Sequence, residues 1–474
     1  MDPSWLGRLR LSLTDPPSLS SWEHLLSLFL DGPLDPELFS IGVDYAVSHL
    51  TAWPDELRLI HSHHLDNLAD LPPHGLLRLA RNIDLTGTRL DDDALERLLS
   101  LDLDTLSHLS LNKSLIGPHR LKRLLDAPWT HNLRSLSLSE NRLKDVGLLS
   151  ITDSTSLSSS LSHLNLASNG ISDDALYNWS LEVDDELRWS QLRHLDLSFN
   201  RLSSLFPFGA FTSLNSLSLQ GNSRIGDGGI LELDSDLSKH LTQLNLAFCG
   251  ITPVAISWLA RMNIASSLTT LNLSDNPLGD DAIAPLSLFS NLSHLYLQRC
   301  ALTPAELSSL TSSPTLRKLE SLNLAGNGFS SSGVDALLRQ PSLLHIKHLD
   351  LSNNNIDLRG AQRLADAAPA SLRRLILNGN PLTPQGIEAL ASSPRLSGLT
   401  SLSFNMHIGR LGHRAILRSP HLSTSLKLNH IKHLHLQPLI HLTQDLLRPL
   451  TSNDADLLRN ALSDWIKDTS GEPS

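Results

Sequence analysis

Histidine, serine and cysteine side chains are the groups of this chain best suited to chemistry. Its 474 residues include 22 histidines but only 2 cysteines. Serine, histidine and aspartate are so abundant that no spacing among them indicates a catalytic triad. The GxxxxGK(S/T) loop that binds nucleotide phosphates is absent from the sequence. We therefore predict that the chain is not an enzyme, and that it has no catalytic residue and no cofactor.

A short histidine cluster is the best candidate for a metal site. His61, His63 and His64 lie close together in the sequence. No cysteine lies near them, and no carboxylate has the spacing of a further ligand. A helix that carries His61 and His64 on one face as neutral side chains explains the cluster more simply. We therefore predict no metal site.

A recurrent leucine-rich stretch determines how all these side chains are positioned. Its clearest copy is IKHLDLSNNNI, from Ile346 to Ile356. The central L-x-L has period two and predicts a short strand with its two leucines directed inward. Asn354 ends the strand, where its amide can bond the backbone of the bend and of the neighbouring coil. One coil cannot bury its leucines alone, so we expect a stack of coils.

The asparagine position of this stretch, here called the slot, recurs along most of the chain. Successive slots lie 22 to 31 residues apart by subtraction, most of them near 27, which leaves room for a helix in each coil. Thr88, Ser114 and His407 fill degenerate slots near the two ends. The expected ladder of structural slots consists of Asn141, Asn169, Asn200, Asn222, Cys249, Asn276, Cys300, Asn327, Asn354 and Asn380.

Helix-start signals follow the slots. Thr252-Pro253 and Thr383-Pro384 each place a capping residue before a proline, which suits the first turn of a helix. One coil is irregularly short, and there Phe206-Pro207-Phe208 replaces a full helix. The fold class that we predict is α/β: a repeat solenoid shaped as a horseshoe, with a parallel inner β-sheet and outer helices.

The repeat divides the chain into three predicted regions. Residues 1–77 lack it and form a helical N-terminal cap, with helices near Trp22–Leu30, Pro36–Leu50 and Pro54–Leu71. Residues 78–439 form the array of about thirteen to fourteen coils. Residues 440–474 form a C-terminal capping helix, with apolar residues from Leu457 to Ile466 at helical spacing, followed by a disordered tail.

Composition limits the possible surroundings and partners. The formal net charge of −11 argues against a nucleic-acid or anionic-membrane surface. Two cysteines cannot form a disulfide framework, which favours a reducing compartment. The N-terminal residues have no apolar signal region, and no apolar run is long enough to span a membrane. We expect a soluble, monomeric, cytoplasmic protein, and export without a signal peptide stays open.

The repeated stretch resembles the leucine-rich repeat superfamily. Two further copies are LTTLNLSDNPL from Leu268 to Leu278 and LRRLILNGNPL from Leu372 to Leu382. The resemblance extends from about Leu79 to Leu439, and the coil length is similar to that of the ribonuclease-inhibitor-like subclass, with helices on the outer side. It implies protein binding, commonly through the concave strand face. Members include inhibitors, GTPase-activating proteins and sensor domains, so the resemblance selects no partner.

The outward positions of the strand region are the candidate binding residues. They are the two positions that flank the central strand leucine and the pair of residues before each slot. Aromatic residues and arginine are the usual anchors of protein interfaces. The alternative is that these are ordinary exposed repeat residues. The predicted partner-binding residues are Phe199, Phe248, Tyr296, Gln298 and Arg299.

Histidines recur at the first outward position. Only His163 and His194 occupy adjacent coils, so stacking is expected for this pair alone. Protonated neighbours at strand spacing would repel each other, so binding could weaken below about pH 6. Isolated surface histidines are the simpler interpretation. The column comprises His108, His163, His194, His294, His348 and His433.

Two functions follow from these patterns. The first is a non-catalytic scaffold that binds a partner protein through the concave strand face. The alternative is a regulator of a GTPase, similar to Ran-type GTPase-activating proteins, which belong to the same repeat subclass. That family has an acidic C-terminal tail, and this chain lacks an acidic run there. The sequence leaves the partner and the pathway open.

Overall fold

The structure is a computed structural model. It describes residues 3–32, 35–62, 76–183, 189–205, 208, 211–233, 240–312, 317–339, 343, 345–405 and 408–433. The chain forms two compact units, Met1–Leu241 and Thr242–Ser474. Each unit is built from coils that contribute one short strand apiece.

The strands of the N-terminal unit are parallel, and each pairs with the next strand in the sequence. The middle residue of each is buried and its two flanking residues are at least partly exposed. This alternation follows from the L-x-L pattern, because successive side chains of a strand point to opposite faces. These strands are β1 (Leu59–His61), β2 (Asn82–Asp84), β3 (His108–Ser110), β4 (Ser135–Ser137), β5 (His163–Asn165), β6 (His194–Asp196) and β7 (Ser216–Ser218).

The C-terminal unit repeats this arrangement, and its strands are also parallel and paired in sequence order. Leu271 and Leu295 face each other in register, as identical coils require. The strands are β8 (Gln243–Asn245), β9 (Thr270–Asn272), β10 (His294–Tyr296), β11 (Ser321–Asn323), β12 (His348–Asp350), β13 (Arg374–Ile376) and β14 (Ser401–Ser403).

Helices lie between most of the strands, and helices of neighbouring coils pack on each other. Thr252 and Thr383 cap their helices as predicted, since their hydroxyls accept from Val254 N and Gly386 N. In the N-terminal unit the helices are Pro3–Ser12, Leu19–Leu30, Pro36–His49, Asp92–Leu99, Gly117–Leu125, Lys144–Thr152, Thr155–Ser160, Asp173–Val183 and Gly226–Leu231. In the C-terminal unit they are Pro253–Leu259, Ile264–Ser267, Ile283–Leu286, Pro304–Ser312, Ser330–Leu338, Leu358–Ala367, Pro384–Ala391, Gly409–Arg418 and Thr424–His433.

The predicted fold class, an α/β solenoid of repeats with a parallel sheet and helices on its other side, is confirmed in each unit. The described residues between β6 and β7 form no α-helix, in agreement with the short coil predicted there. Phe208 and Phe211 are buried in that coil instead, and Phe211 packs edge-to-face on Trp179, with ring centroids 4.7 Å apart.

The sequence interpretation was wrong at both ends of the array. The first part of the helix predicted near Pro54–Leu71 is wrong, because Leu59 to His61 form β1 and pair in parallel with Asn82 to Asp84. Residues 63–71 of that prediction lie outside the described residues. His433 is not part of the strand column, since it ends the helix Thr424–His433. The predicted C-terminal capping helix within 440–474 lies outside the described residues. The domain boundaries therefore stay predictions.

Candidate protein-binding face

Slot asparagines join two neighbouring coils through main-chain hydrogen bonds. Asn169 is buried, and its Nδ2 donates to Leu138 O (2.9 Å) and Leu166 O (3.0 Å). Its Oδ1 accepts from Asn141 N (3.0 Å) and Leu143 N (3.3 Å). Asn276 and Asn380 bond in the same way in the C-terminal unit. The side chain therefore satisfies backbone groups that burial would otherwise leave unpaired.

The remaining slots follow this scheme with local differences. Asn141, Asn200, Asn222, Asn327 and Asn354 all donate Nδ2 to the carbonyl group of the leucine in the preceding coil. The structure thus places the sequence-predicted asparagines along one line of each unit.

The two cysteines occupy their slots as buried thiols that form no disulfide. Cys300 Sγ lies 3.3 Å from Leu273 O, in place of an asparagine amide. Cys249 Sγ lies 3.6 Å from Ala247 O. Burial raises the pKa of the Cys300 thiol to about 12, so the thiolate needed for nucleophilic chemistry is scarce at neutral pH.

The residue immediately before each slot, here called the turn position, has a left-handed backbone. Its φ angle lies between 51° and 79° in coil after coil. Glycine adopts this region without penalty, and other residues pay about 1–2 kcal/mol. The turn positions are Gly87, Lys113, Glu140, Ser168, Phe199, Gly221, Phe248, Asp275, Arg299, Gly326, Asn353 and Gly379.

Sequence reasoning missed this backbone conformation. Its signal was present, because Gly87, Gly221, Gly326 and Gly379 all stand directly before a slot. The prediction that both residues before the slot point outward was also wrong for the first of the two in several coils. Ser198 (5% exposed), for example, is buried.

Phe199 and Phe248 occupy turn positions and expose 52% and 54% of their surface. Phe199 belongs to the N-terminal unit and Phe248 to the C-terminal unit. A methyl group on Gly221, at the next turn position, would collide with Cδ1 of Phe199. The Phe199 ring therefore leans on the bare backbone of the next coil while its other face stays exposed.

The other three predicted residues lie together in one coil of the C-terminal unit. Tyr296 is a half-buried residue of β10, and Gln298 is also half-buried. Arg299 is exposed, and its guanidinium pairs with Asp275 of the preceding coil through Nε and through Nη2 (2.9 Å to Oδ2). Hydrogen bonding to Asp275 raises the pKa of Arg299. Its aliphatic part lies against Gly326, so the arginine is held between two coils.

The histidine column has one stacked pair, as the spacing predicted. The rings of His163 and His194 lie 4.1 Å apart and within 10° of parallel. Partial burial, followed by repulsion from His194, lowers the pKa of His163 below 6.5. Burial likewise lowers the pKa of His194. Both rings are therefore neutral at pH 7.

Metal-ligand clusters and membrane-spanning helices are absent from the described residues. No three histidine, cysteine or carboxylate side chains of this part of the chain gather as metal ligands. No helix within the described ranges is both long and apolar enough to cross a bilayer.

Comparison with known proteins identifies the repeats. Residues 190–227 match the profile for leucine rich repeats in two copies. Single leucine rich repeats match at residues 131–151, 157–177, 237–260, 265–287, 315–338, 342–365 and 368–391.

Several known proteins and a solved structure are similar to this chain. Mouse leucine-rich repeat-containing protein 14 is 35% identical over 143 residues, which are 28% of each chain. The match thus spans little more than a quarter of that relative. Human podocan-like protein 1 is 29% identical over 390 residues, 81% of this chain and 67% of that protein. The solved complex of Rad7 and Elc1 in yeast is similar with a TM-score of 0.40 and 18% identity, covering 73% of this chain and 90% of that chain. With its slot ladder, parallel strands and matched repeats, this chain belongs to the leucine-rich repeat superfamily.

Proposed function

We propose that the chain is a non-catalytic scaffold that binds a partner protein through its strand face. Phe199 anchors the partner on the N-terminal unit, and Phe248 anchors it on the C-terminal unit. Tyr296, Gln298 and Arg299 add contacts on the latter. Membership of the leucine-rich repeat superfamily supports protein binding as the general role, and the exposed side chains above support this particular surface.

The placement of the two phenylalanines carries the proposal. The left-handed backbone of a phenylalanine at a turn position destabilises the folded chain by about 1–2 kcal/mol. About half of the side chain also remains exposed to water. Glycine at the same position would avoid both penalties, as it does at Gly87. Strained positions of this kind persist where function requires the side chain. Large aromatic rings are also frequent hot spots of protein interfaces.

The test is affinity capture from the native cell with tagged wild-type chain and with Phe199→Ala and Phe248→Ala. We expect at least one protein to be retained by the wild type and lost, at least tenfold, in both variants. Tyr177→Ala is the matched control, because Tyr177 is an exposed aromatic residue on an outer helix. Equal loss in the control, or no loss in the two variants, would refute the proposed anchors.

Regulation of a GTPase is the second candidate, and Arg299 is the observation that favours it. Its exposed guanidinium is held in one orientation by Asp275, and a fixed arginine is the group that stabilises transition-state charge in GTP hydrolysis. Stimulation of a panel of small GTPases by the wild-type chain, and its loss in Arg299→Ala, would support this role. If the chain stimulates no GTPase of the panel, this second candidate is refuted and the scaffold function remains.

The repeat subclass, the cellular location, the type of partner and the monomeric state are further proposals. Helices in most coils support the ribonuclease-inhibitor-like subclass. Buried cysteines that form no disulfide support a reducing, cytoplasmic location. The acidic net charge supports a protein partner rather than nucleic acid. Light scattering of the purified chain tests the predicted monomer, and fluorescence microscopy of the tagged chain tests the location.

A further inference from the structure

Strand β13 of the C-terminal unit differs from the other strands in the residues that it presents outward. Its first and third residues are Arg374 and Ile376. Among the first and third residues of all the described strands, Arg374 alone is a lysine or an arginine. The others are mostly serine, asparagine and histidine. A single cation on a face of this composition indicates one specific contact rather than a general electrostatic surface.

The guanidinium of Arg374 is available for binding. Arg374 is exposed and lies in register beside His348 of β12, which is exposed as well. No ion pair or hydrogen bond to another described residue occupies the Arg374 guanidinium. Arg299 differs in this respect, because its guanidinium pairs with Asp275. The N–H donors of Arg374 can therefore all be offered to a partner.

The ring of His348 forms no hydrogen bond with another described residue either. In three other coils a serine directly before the strand bonds the first outward histidine, as Ser293 does at 2.8 Å from His294 Nδ1. Lys347 takes the place of this serine before β12 and pairs with Glu320 at 2.9 Å. Burial lowers the pKa of His348. The ring is therefore neutral at pH 7 and has one N–H to donate.

The starts of β12 and β13 form a positive region in a chain whose net charge is −11. Lys347 and Arg373 stand directly before these strands, and Arg374 follows. Glu320 neutralises Lys347. Arg373 donates to two main-chain carbonyl groups of its own loop, at 3.2 and 3.0 Å. Arg374 is thus the one of these three cations that is left without a partner among the described residues.

The outward carboxylate of β12 does not neutralise Arg374. Oδ1 of Asp350 accepts from Ser352 N at 2.9 Å and from Ser352 Oγ at 2.6 Å. Strand register places Asp350 beside Ile376 and not beside Arg374. Asp350 is therefore committed to its own bend, and a counter-charge for Arg374 would come from a bound molecule.

The number of available cations distinguishes between anions. A carboxylate carries one charge, and its two oxygens accept parallel N–H bonds from one guanidinium. A phosphorylated side chain carries a charge of about −1.5 to −2 and is typically bound by a cluster of arginines. Here one free guanidinium lies beside a neutral imidazole. The arrangement of Arg374 and His348 suits a carboxylate better than a phosphate.

We propose that Arg374 and His348 form a binding subsite for an acidic side chain, aspartate or glutamate, of the partner protein. This inference rests on the proposed function of the strand face and names the chemistry that this face recognises in the C-terminal unit. The carboxylate pairs with the guanidinium of Arg374 and accepts the N–H of His348. Tyr296 lies three strands away on the same sheet, roughly 14 Å at strand spacing, so one interface of ordinary size covers both.

Selection of a random-peptide library on the full chain tests the subsite. We expect the wild type to enrich peptides that contain an aspartate or a glutamate. Their affinity should fall at least tenfold for Arg374→Glu and for Arg374→Gln. Replacement of the acidic residue in a selected peptide by lysine should restore binding to Arg374→Glu. Such an exchange of charges indicates direct contact, because it would not rescue a variant whose fold is disturbed.

Arg359→Glu is the matched control, because Arg359 is an exposed arginine on the outer helix Leu358–Ala367 and the change in net charge is the same. It should bind the selected peptides as the wild type does. Thermal melting identifies any variant that does not fold, and Arg374→Gln carries the test if Arg374→Glu fails.

Four results would overturn the subsite. They are a wild type that enriches no acidic peptides, binding that survives in folded Arg374 variants, an equal loss in Arg359→Glu, and tighter binding when phosphoserine replaces the acidic residue. The last result would assign the site to a phosphate instead of a carboxylate.

Failure of this subsite and failure of the scaffold function give different results. Protein capture that depends on Phe199 and Phe248, combined with peptide binding that does not depend on Arg374, would refute the subsite and leave the scaffold intact. Peptide binding that depends on Arg374, combined with capture that none of the substitutions alters, would refute the proposed function and leave a peptide-binding subsite.

Discussion

The slot and the turn position are adjacent in every coil, yet they differ in almost every physical property. Slot residues such as Asn169 are buried, and the slot asparagines all donate to the backbone of the preceding coil. Turn positions share only their left-handed backbone, and their side chains range from Gly221 to Phe248. The constant position therefore serves the stack of coils, and the variable position is where the chain can acquire a specific surface.

The comparison shows at which position backbone strain indicates a function. Slot side chains stabilise the chain by satisfying buried backbone groups, so their presence requires no function. Phe199 and Phe248 are half exposed, so their side chains stabilise the folded chain little, and their left-handed backbone destabilises it. Slot residues are therefore interpreted as kept for folding, and the phenylalanines at turn positions as kept for binding. Four experiments test this distinction.

The largest effect is expected for Asn169→Ala. It leaves the buried N–H groups of Asn141 and Leu143 without the acceptor that Asn169 supplies. The free energy of unfolding should therefore fall by about 3–5 kcal/mol. Ser168→Ala, one residue earlier at a turn position, should change it by less than about 0.5 kcal/mol. Urea unfolding followed by circular dichroism measures both. Similar losses for the two variants would remove the distinction between the positions.

The next effect concerns the contact between the Phe199 ring and Gly221. Gly87→Ala and Gly221→Ala impose the same positive φ, 79°, but only the methyl group at Gly221 meets a ring. Both should lose about 1–2 kcal/mol, and Gly221→Ala should lose about 1 kcal/mol more. Adding Phe199→Ala to Gly221→Ala should abolish this excess in urea unfolding. An excess that survives in the double variant would mean that the ring does not rest on Gly221.

A smaller change, of opposite sign, is expected for Phe248→Gly. Relief of the left-handed strain, partly offset by the greater freedom of glycine in the unfolded chain, should leave the free energy of unfolding equal or up to about 1 kcal/mol higher. Capture of the partner should fall at least tenfold in the same variant. A clear loss of stability would show that Phe248 is kept for folding, contrary to the comparison.

The smallest effect is the pH dependence of the histidine column. Burial holds the pKa of His108, His163, His194 and His348 below 6.5. The unfolded chain therefore takes up protons first as the pH falls through about 6.5, and the folded state loses stability. Above that pH these groups contribute no pH dependence. Urea unfolding between pH 7.5 and 5.5 should show a smaller loss in the variant with both His163→Gln and His194→Gln.

The repeat, the slots and the fold class could be predicted from the sequence because they depend on short-range spacing. The L-x-L pattern with a slot three residues later specifies a strand and a bend within one coil, and coils of similar length must stack in register. The pairing of His163 with His194 followed from the same spacing, since both occupy the same position of consecutive coils.

Other features could not be predicted because they depend on contacts between coils or on sequence that departs from the repeat. Leu59 to His61 carry no slot, and only pairing with β2 makes them a strand rather than a helix. The pairing of Arg299 with Asp275 and the support of Phe199 by Gly221 join residues of different coils.

The sequence by itself therefore determined that the chain is a stack of leucine-rich coils, because burial of periodic leucines allows no other arrangement. The tertiary structure alone decided which outward residues are strained, supported or open. Those properties arise from side chains of neighbouring coils that meet at strand spacing, as where the Phe199 ring lies against Gly221 and Asp275 holds Arg299.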